Sequence, residues 1–230
     1  MLRALVFDVD GTLAETEEAH RQAFNETFPE FGLDWNWDRD RYRHLLKTTG
    51  GKERMRRHAA EIGLNADDLP IAEIHTRKTA RYGELIEDGS VPLRPGIESL
   101  LQDARSKGIR LAVATTTNLP NVERLIQGTL GCSASDIFEV IAAGDMVKSK
   151  KPAPDVFELA VKNLSLSPRD CLAFEDSRNG LLSARQAGLP CLVCPSWYTS
   201  RHDFQEATAL VNSYEEVRNI AALMAMFEVA

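Results

Sequence analysis

No segment of the 230-residue chain reaches the ~18 consecutive apolar residues of a membrane-spanning helix, which argues against a membrane protein. Cysteine is scarce. Cys132, Cys171, Cys191 and Cys194 are the only four, too few to staple a chain of this length. In a reducing compartment they are thiols. Cys191 and Cys194 have the spacing of a metal or redox pair, but Cys191-Leu192-Val193-Cys194 reads as a strand. Residues an odd number apart in a strand face opposite sides, so the two sulfurs are expected to point apart. Excess positive charge is also lacking. The chain has 27 Lys and Arg against 34 Asp and Glu, a net charge of −7. That balance argues against a general nucleic-acid or membrane-surface binder. Low-complexity tracts and internal repeats are missing as well. The N-terminal Met1 to Phe7 turns acidic at Asp8, too early for a signal peptide, so the expected location is cytoplasmic.

Apolar residues make up 43% of the chain and charged residues 27%, ordinary usage for a globular protein. A chain of this length can bury a core without disulfides or a structural metal. Leu2 to Phe7 reads as a buried strand, and Glu15 to Phe28 as a helix. The next ~60 residues, rich in Arg, Glu, His and Ala, read as three or four short helices. At Val91-Pro92-Leu93-Arg94-Pro95-Gly96 the texture changes, because Pro and Gly mark a boundary. Strands then alternate with helices. The strands are placed at 109–115, 138–142, 171–174 and 191–194, with a last edge strand at 210–211. The helices are placed at 97–106, 121–128, 154–164, 179–187 and 214–227. This alternation implies an α/β fold with a doubly wound parallel sheet. The expected organisation is a core made of residues 1–14 and 92–230, with a helical domain of residues 15–91 inserted after the first strand.

In such a sheet ligands bind at the carboxyl ends of the strands. The residues expected there are Asp8 and Asp10, then Thr115 followed by Thr116, Thr117 and Asn118, then Lys151, and then Glu175 and Asp176. Asp8 and Asp10, at i and i+2 on an extended segment, are expected to point the same way. Four carboxylates together are too negative to stand alone, so either protons are retained or a hard cation binds. Oxygen ligands suit Mg²⁺, which in turn brings in a phosphate. Thr115 and Lys151 are placed to hold phosphate oxygens, and Lys151 also to offset the carboxylates. Lys148 and Lys150 crowd Lys151. Pro152 singles out Lys151, with Lys150 as the alternative.

Phe7-Asp8-Val9-Asp10-Gly11-Thr12-Leu13, Thr115, Lys151 and Glu175-Asp176 resemble, in order and spacing, the four motifs of the haloacid-dehalogenase-like (HAD) hydrolases. The inserted helices resemble that family's C1 cap. The resemblance implies that Asp8 is a nucleophile that carries an aspartyl phosphate and that Asp10 is the general acid and base. It implies that Asp8, Asp10 through its carbonyl, Glu175 and Asp176 hold Mg²⁺. Members that act on carbon–halogen bonds lack the second Asp, so phosphoryl transfer is favoured over dehalogenation.

Between Arg39 and His58 stand eight Arg or Lys against Asp40 and Glu53. Most of these read as solvated helix faces. Thr48-Thr49-Gly50-Gly51-Lys52-Glu53-Arg54 instead reads as an anion nest at a helix start. His75-Thr76-Arg77-Lys78 adds further cations, including Arg77. A second anion site in the cap points to a bisphosphate or a sugar phosphate held at both ends. The cap wording also resembles the CbbY family, phosphatases encoded with Calvin cycle genes. The resemblance implies a small-molecule substrate, xylulose 1,5-bisphosphate, hydrolysed to xylulose 5-phosphate by a monomer. It also implies that Glu17, Tyr42, Gly51, Lys52, Arg54, His75 and Lys78 contact substrate, with His20 on the hinge side of the cap. Two alternatives stay open: a phosphosugar mutase of the β-phosphoglucomutase type, and a broad-specificity sugar-phosphate phosphatase.

Overall fold

The computed structural model describes residues 2–87 and 89–228. The chain forms two compact units, Met1–Glu15 with Val91–Ala230, and Thr16–Ser90.

The first unit is built on six parallel strands, β1 (Ala4–Phe7), β2 (Arg110–Ala114), β3 (Val140–Ala142), β4 (Cys171–Glu175), β5 (Cys191–Val193) and β6 (Ala209–Leu210), in the order β3-β2-β1-β4-β5-β6. Between them run α5 (Ile97–Ser106), α6 (Leu119–Leu130), α7 (Ala134–Ile137), α8 (Asp155–Leu164) and α9 (Arg178–Gln186), and α10 (Ile220–Glu228) ends the described chain. β1 is fully buried between two neighbours, with Phe7 opposite Val113 on one side and Phe174 on the other. Side chains alternate with the strand period of two. Ala4, Val6, Ala112, Ala114, Ala142, Cys171, Ala173, Cys191 and Val193 form one core face with residues of α8 and α9. These positions are small, so the two helices come close to the sheet. On the opposite face Phe7 stacks on Phe174 at 4.5 Å. Strand order grows from β1 to β3 and then jumps back across β1 to β4. A crevice therefore opens at the carboxyl ends of β1 and β4, where such folds bind ligands.

Two expected elements differ. The strand expected at 138–142 is shortened to Val140–Ala142. Residues 134–137 before it form the short α7, closed at its start by a capping box between Ser133 and Asp136. The helix expected at 214–227 is broken into a 3₁₀ turn, Tyr214–Val217, and α10. The second helix restarts because Asp103 accepts from the N–H of Ile220 at 2.6 Å and Asn219 accepts from that of Ala222 at 2.8 Å.

The second unit contains α1 (Glu17–Thr27), α2 (Arg39–Leu45), α3 (Gly51–Glu61) and α4 (Ile71–Glu87), with α1 packed along α4. Its core is aromatic, with Phe24 4.7 Å and Phe28 4.8 Å from the Trp37 ring. Trp37 is pinned through its backbone, whose N–H donates to Asn25 and whose carbonyl accepts from Arg21 and Asn25. No described helix is long and apolar enough to cross a membrane.

Candidate active site

Asp8 follows β1 directly, and its N–H donates to the Phe174 carbonyl of β4 at 3.0 Å. The sheet thus sets Asp8 beside the end of β4, where Glu175 and Asp176 stand. The chain does not stay extended after Asp8. The Val9 carbonyl accepts from the N–H groups of Thr12 and Leu13, and Gly11 takes φ +86°, a conformation that favours glycine. Asp10 stays near enough to Asp8 for its charge to act on that carboxyl. The converging carboxylates are those of Asp8, Glu175 and Asp176, whose ligand atoms lie within 4.8 Å of one another. Asp10 is half-buried and outside that trio.

Lys151 reaches into the trio from the loop before α8. Its ammonium donates to Asp8 Oδ1 at 2.6 Å, to Glu175 Oε1 at 2.6 Å and to the Ala114 carbonyl at 2.9 Å. All three of its protons are used. Lys148 and Lys150 are exposed, so Lys151 is the lysine at this position. Asp8, Lys151, Glu175 and Asp176 are all buried. Burial first, and the Glu175 carboxylate second, push the Asp8 carboxyl up to about 8 against the pull of Lys151. Burial alone would lower the Lys151 ammonium, but Asp8 and Glu175 outweigh it and push it up. Glu175 is held on its other oxygen by the Asp176 N–H at 3.2 Å and the Ser177 hydroxyl at 3.3 Å.

These residues fit a divalent cation on chemical grounds. Three buried carboxylates converge, one ammonium contacts two of them, and every donor is a hard oxygen, as Mg²⁺ requires. Gly11 completes the cradle, since a Cβ there would lie 2.4 Å from Asp176 Oδ2.

Thr115 is buried at the end of β2 and its oxygen accepts from the Thr117 N–H at 3.1 Å, which leaves its own proton to give. Thr117 and Asn118 are partly committed to α6. Asn118 caps the helix by accepting from the Asn121 N–H at 3.0 Å, and Thr117 accepts from the Asn121 side chain at 3.1 Å. The Thr116 carbonyl lies where a Cβ on Gly144 would intrude, at 2.2 Å.

In the helical unit the structure brings several expected residues together. The Tyr42 hydroxyl donates to Glu17 at 2.7 Å and accepts from Arg54 at 3.0 Å. Arg54 also donates to the Thr48 carbonyl at 3.1 Å. Gly50, at φ +98°, starts α3, and a Cβ on Gly51 would meet His75 Nε2 at 2.6 Å. Lys78 is buried 2.6 Å from His20 Nδ1, above the ring of Phe24, and His20 stacks on Tyr82 at 3.7 Å. Lys52 is exposed, with no hydrogen bond or ion pair among the described residues. Arg77 stands apart from these groups, paired with Glu30 at 2.7 Å and Glu84 at 3.9 Å on the surface.

Three contributors to the core site were not singled out by sequence reasoning. Gly180, in the first turn of α9, leaves room for the Glu175 carboxyl, which a Cβ would approach to 1.9 Å. Arg94, read only as part of a boundary, donates to the carbonyls of Gly11, Cys194 and Pro195 at 2.6–3.0 Å and lies over the Tyr214 ring. Thr199 donates to Asp176 Oδ2 at 3.0 Å. Its loop leaves β5 at the same carboxyl edge, and that edge rule was the available signal. The four cysteines are free. Cys191 faces the α8 and α9 core, and Cys194 accepts from Arg94.

Residues 2–188 match the haloacid dehalogenase-like hydrolase family. The chain is 58% identical to protein CbbY of Rhodobacter capsulatus over 206 residues, which covers 90% of this chain and 91% of that protein. It is 53% identical to protein CbbY of Cereibacter sphaeroides, covering 97% of each. The crystal structure of a CbbY mutant from Rhodobacter sphaeroides in complex with xylulose 1,5-bisphosphate superimposes with a TM-score of 0.92 at 52% identity, covering 97% of this chain and 99% of that one. The chain belongs to the haloacid dehalogenase-like hydrolases, and within them to the CbbY family, and it is a phosphoric monoester hydrolase.

Proposed function

We propose that the protein is a Mg²⁺-dependent, cytoplasmic, monomeric phosphatase that hydrolyses xylulose 1,5-bisphosphate to xylulose 5-phosphate. The chemistry rests above all on one observation, the buried Asp8–Lys151–Glu175 contact with Asp176 beside it. The substrate rests on similarity to the CbbY protein crystallised with that bisphosphate.

Asp8, the Asp10 carbonyl and Asp176 would hold Mg²⁺, with Glu175 beside them. When bound, the cation offsets the charge that otherwise keeps an anionic carboxylate from an anionic phosphate. Lys151 holds Asp8 in position and pulls it towards its ionised, attacking form, against the burial and the Glu175 charge that push its carboxyl up. Asp8 attacks phosphorus as the bond to the sugar oxygen breaks, forming an aspartyl phosphate. Asp10, protonated at this stage, gives its proton to the departing alkoxide. It then takes a proton from a water that attacks the same phosphorus and frees Asp8 and inorganic phosphate. The Thr115 hydroxyl and the neighbouring Thr116 and Thr117 orient the transferred group.

The helical unit offers cations for a second anion. Lys52 has its charge unengaged, and Arg54 is aimed by Tyr42 and Glu17. That both sets serve one bisphosphate rests on similarity to the CbbY protein crystallised with xylulose 1,5-bisphosphate. The test is phosphate release with Mg²⁺ from xylulose 1,5-bisphosphate, ribulose 1,5-bisphosphate and β-glucose 1-phosphate. A strong preference for the xylulose compound is expected. Slow, even hydrolysis, with glucose 6-phosphate formed from β-glucose 1-phosphate, overturns the reading in favour of a mutase.

A further inference from the structure

We propose that Thr199 is a positioning residue for Asp176, holding that carboxylate in the orientation in which it converges with Asp8 and Glu175. The inference rests on the reading of Asp176 as a cation ligand.

Thr199, Ser196 and Asp176 are all buried. Thr199 Oγ1 lies 3.0 Å from Asp176 Oδ2, 3.0 Å from Ser196 Oγ and 2.9 Å from the Ser196 N–H. The Ser196 N–H can only donate, so it takes one lone pair of Thr199 Oγ1. The Ser196 hydroxyl can donate into the second. The single proton of Thr199 then goes to the strongest acceptor within reach, the Asp176 carboxylate; the other choice, the Ser196 carbonyl, is at 3.4 Å. Donor and acceptor counting thus fixes the direction of the bond.

The loop that carries Thr199 is itself anchored. Arg94 donates to the carbonyls of Cys194 at 2.7 Å and Pro195 at 3.0 Å, just before Ser196, and to the Gly11 carbonyl at 2.6 Å. The same guanidinium therefore ties the Thr199 loop to the turn that follows Asp8. Asp176 is gripped between the two, with Oδ2 filling the space that the missing Gly11 side chain leaves. A hydroxyl that served only to close the 196–199 turn would have no need of the carboxylate.

The test is calorimetric titration of Mg²⁺ into the metal-free protein without substrate, for the wild type and for Thr199→Val, Thr199→Ser and Asp176→Asn. Removing the partner that orients a metal-binding side chain typically weakens metal affinity by about 10- to 100-fold. Thr199→Val is expected to weaken Mg²⁺ binding by about 10-fold or more. Thr199→Ser, which keeps the hydroxyl, is expected to bind like wild type. The KM for a phosphate ester at saturating Mg²⁺ is expected to stay unchanged in both. If Thr199→Val binds Mg²⁺ like wild type while Asp176→Asn does not, the role of Thr199 is refuted and the cation reading stands. Equal losses in the Val and Ser variants make the residue a packing element and overturn the proposal. Should Thr199→Val fail to fold, Thr199→Ser decides, since weakened binding there refutes the hydroxyl's role. Absence of Mg²⁺ binding by the wild type, or unaltered binding by Asp176→Asn, brings down the cation reading and this inference with it.

Discussion

The ammonium of Lys151 lies 2.6 Å from Oδ1 of Asp8, across 143 residues of sequence. The same ammonium reaches Glu175 at the same distance, so one cation bridges the ends of β1 and β4 on either side of the point where strand order reverses. Replacing Lys151 by Met leaves two buried carboxylates facing each other. Breaking a buried ion pair by removing one partner costs about 3 kcal/mol or more. Lys151→Met is therefore expected to lose at least that much stability at pH 7 in urea unfolding and to lose phosphatase turnover. Unchanged stability would mean that the pair is not the electrostatic keystone of the site.

Gly180 supports the same cluster from α9. In a helix interior alanine is ordinarily better than glycine by about 1 kcal/mol. Here the added methyl would meet the Glu175 carboxyl at 1.9 Å, and that carboxyl is held by Lys151, Ser177 and the Asp176 N–H. Overpacking of this kind costs about 1–3 kcal/mol. Gly180→Ala is expected to lower both melting temperature and kcat. A stabilised variant with full activity would refute the packing account.

Much of this was legible in the sequence because short apolar strands end in chemically distinctive residues. Asp8, Thr115 and Glu175 each stand where an uncharged apolar run stops, and the sheet-edge rule gathers them. Lys151 was separable from Lys150 only by its following proline, whereas in the fold one is buried and the other exposed. Thr199 and Arg94 carry no periodic signal, since both lie in irregular segments fixed by long-range hydrogen bonds. The helical unit looked charged because its core is made of few, large residues. Trp35 and Trp37 lie outside any helix, where a 3.6-residue period cannot flag them.

A chelator tests the cation reading directly. EDTA is expected to abolish turnover, and added Mg²⁺ to restore it. Activity that survives exhaustive chelation would remove Asp8, Glu175 and Asp176 from a metal-binding role.

His58 gives the helical unit a pH dependence of its own. It accepts from Arg41 at 2.8 Å and packs edge-on against Trp35 and Trp37. Burial first, and the Arg41 charge second, push its pKa from 6.5 down to about 4, while Glu61 pulls the other way. The unfolded chain therefore binds more protons than the folded one between those values. The contribution of His58 is fully present above pH 6.5 and is lost as pH falls towards 4. His58→Gln can still accept from Arg41 but does not titrate. The wild type is expected to lose melting temperature more steeply than His58→Gln over that window, and parallel curves would overturn the assignment.

In the proposed function Lys52 meets a second phosphate, so its substitution is expected to separate capture of that phosphate from chemistry at the first. It stands exposed in the first turn of α3, with no hydrogen bond or ion pair among the described residues, so its removal breaks no internal contact. Little change in stability is then expected for Lys52→Ala, as for most surface substitutions. An interaction with a substrate anion made equally in the ground and transition states appears in KM and leaves kcat unchanged. Loss of one such contact, at about 1.4 kcal/mol, is tenfold in affinity. Lys52→Ala is therefore expected to raise KM for xylulose 1,5-bisphosphate by about tenfold, and to leave a small phosphate ester such as p-nitrophenyl phosphate unaffected. The control substrate carries a single phosphate, which the proposed function assigns to the core site. Equal changes for both substrates would show that Lys52 does not read a second anion, and Arg54, held by Tyr42 and Thr48, would become the residue to test next.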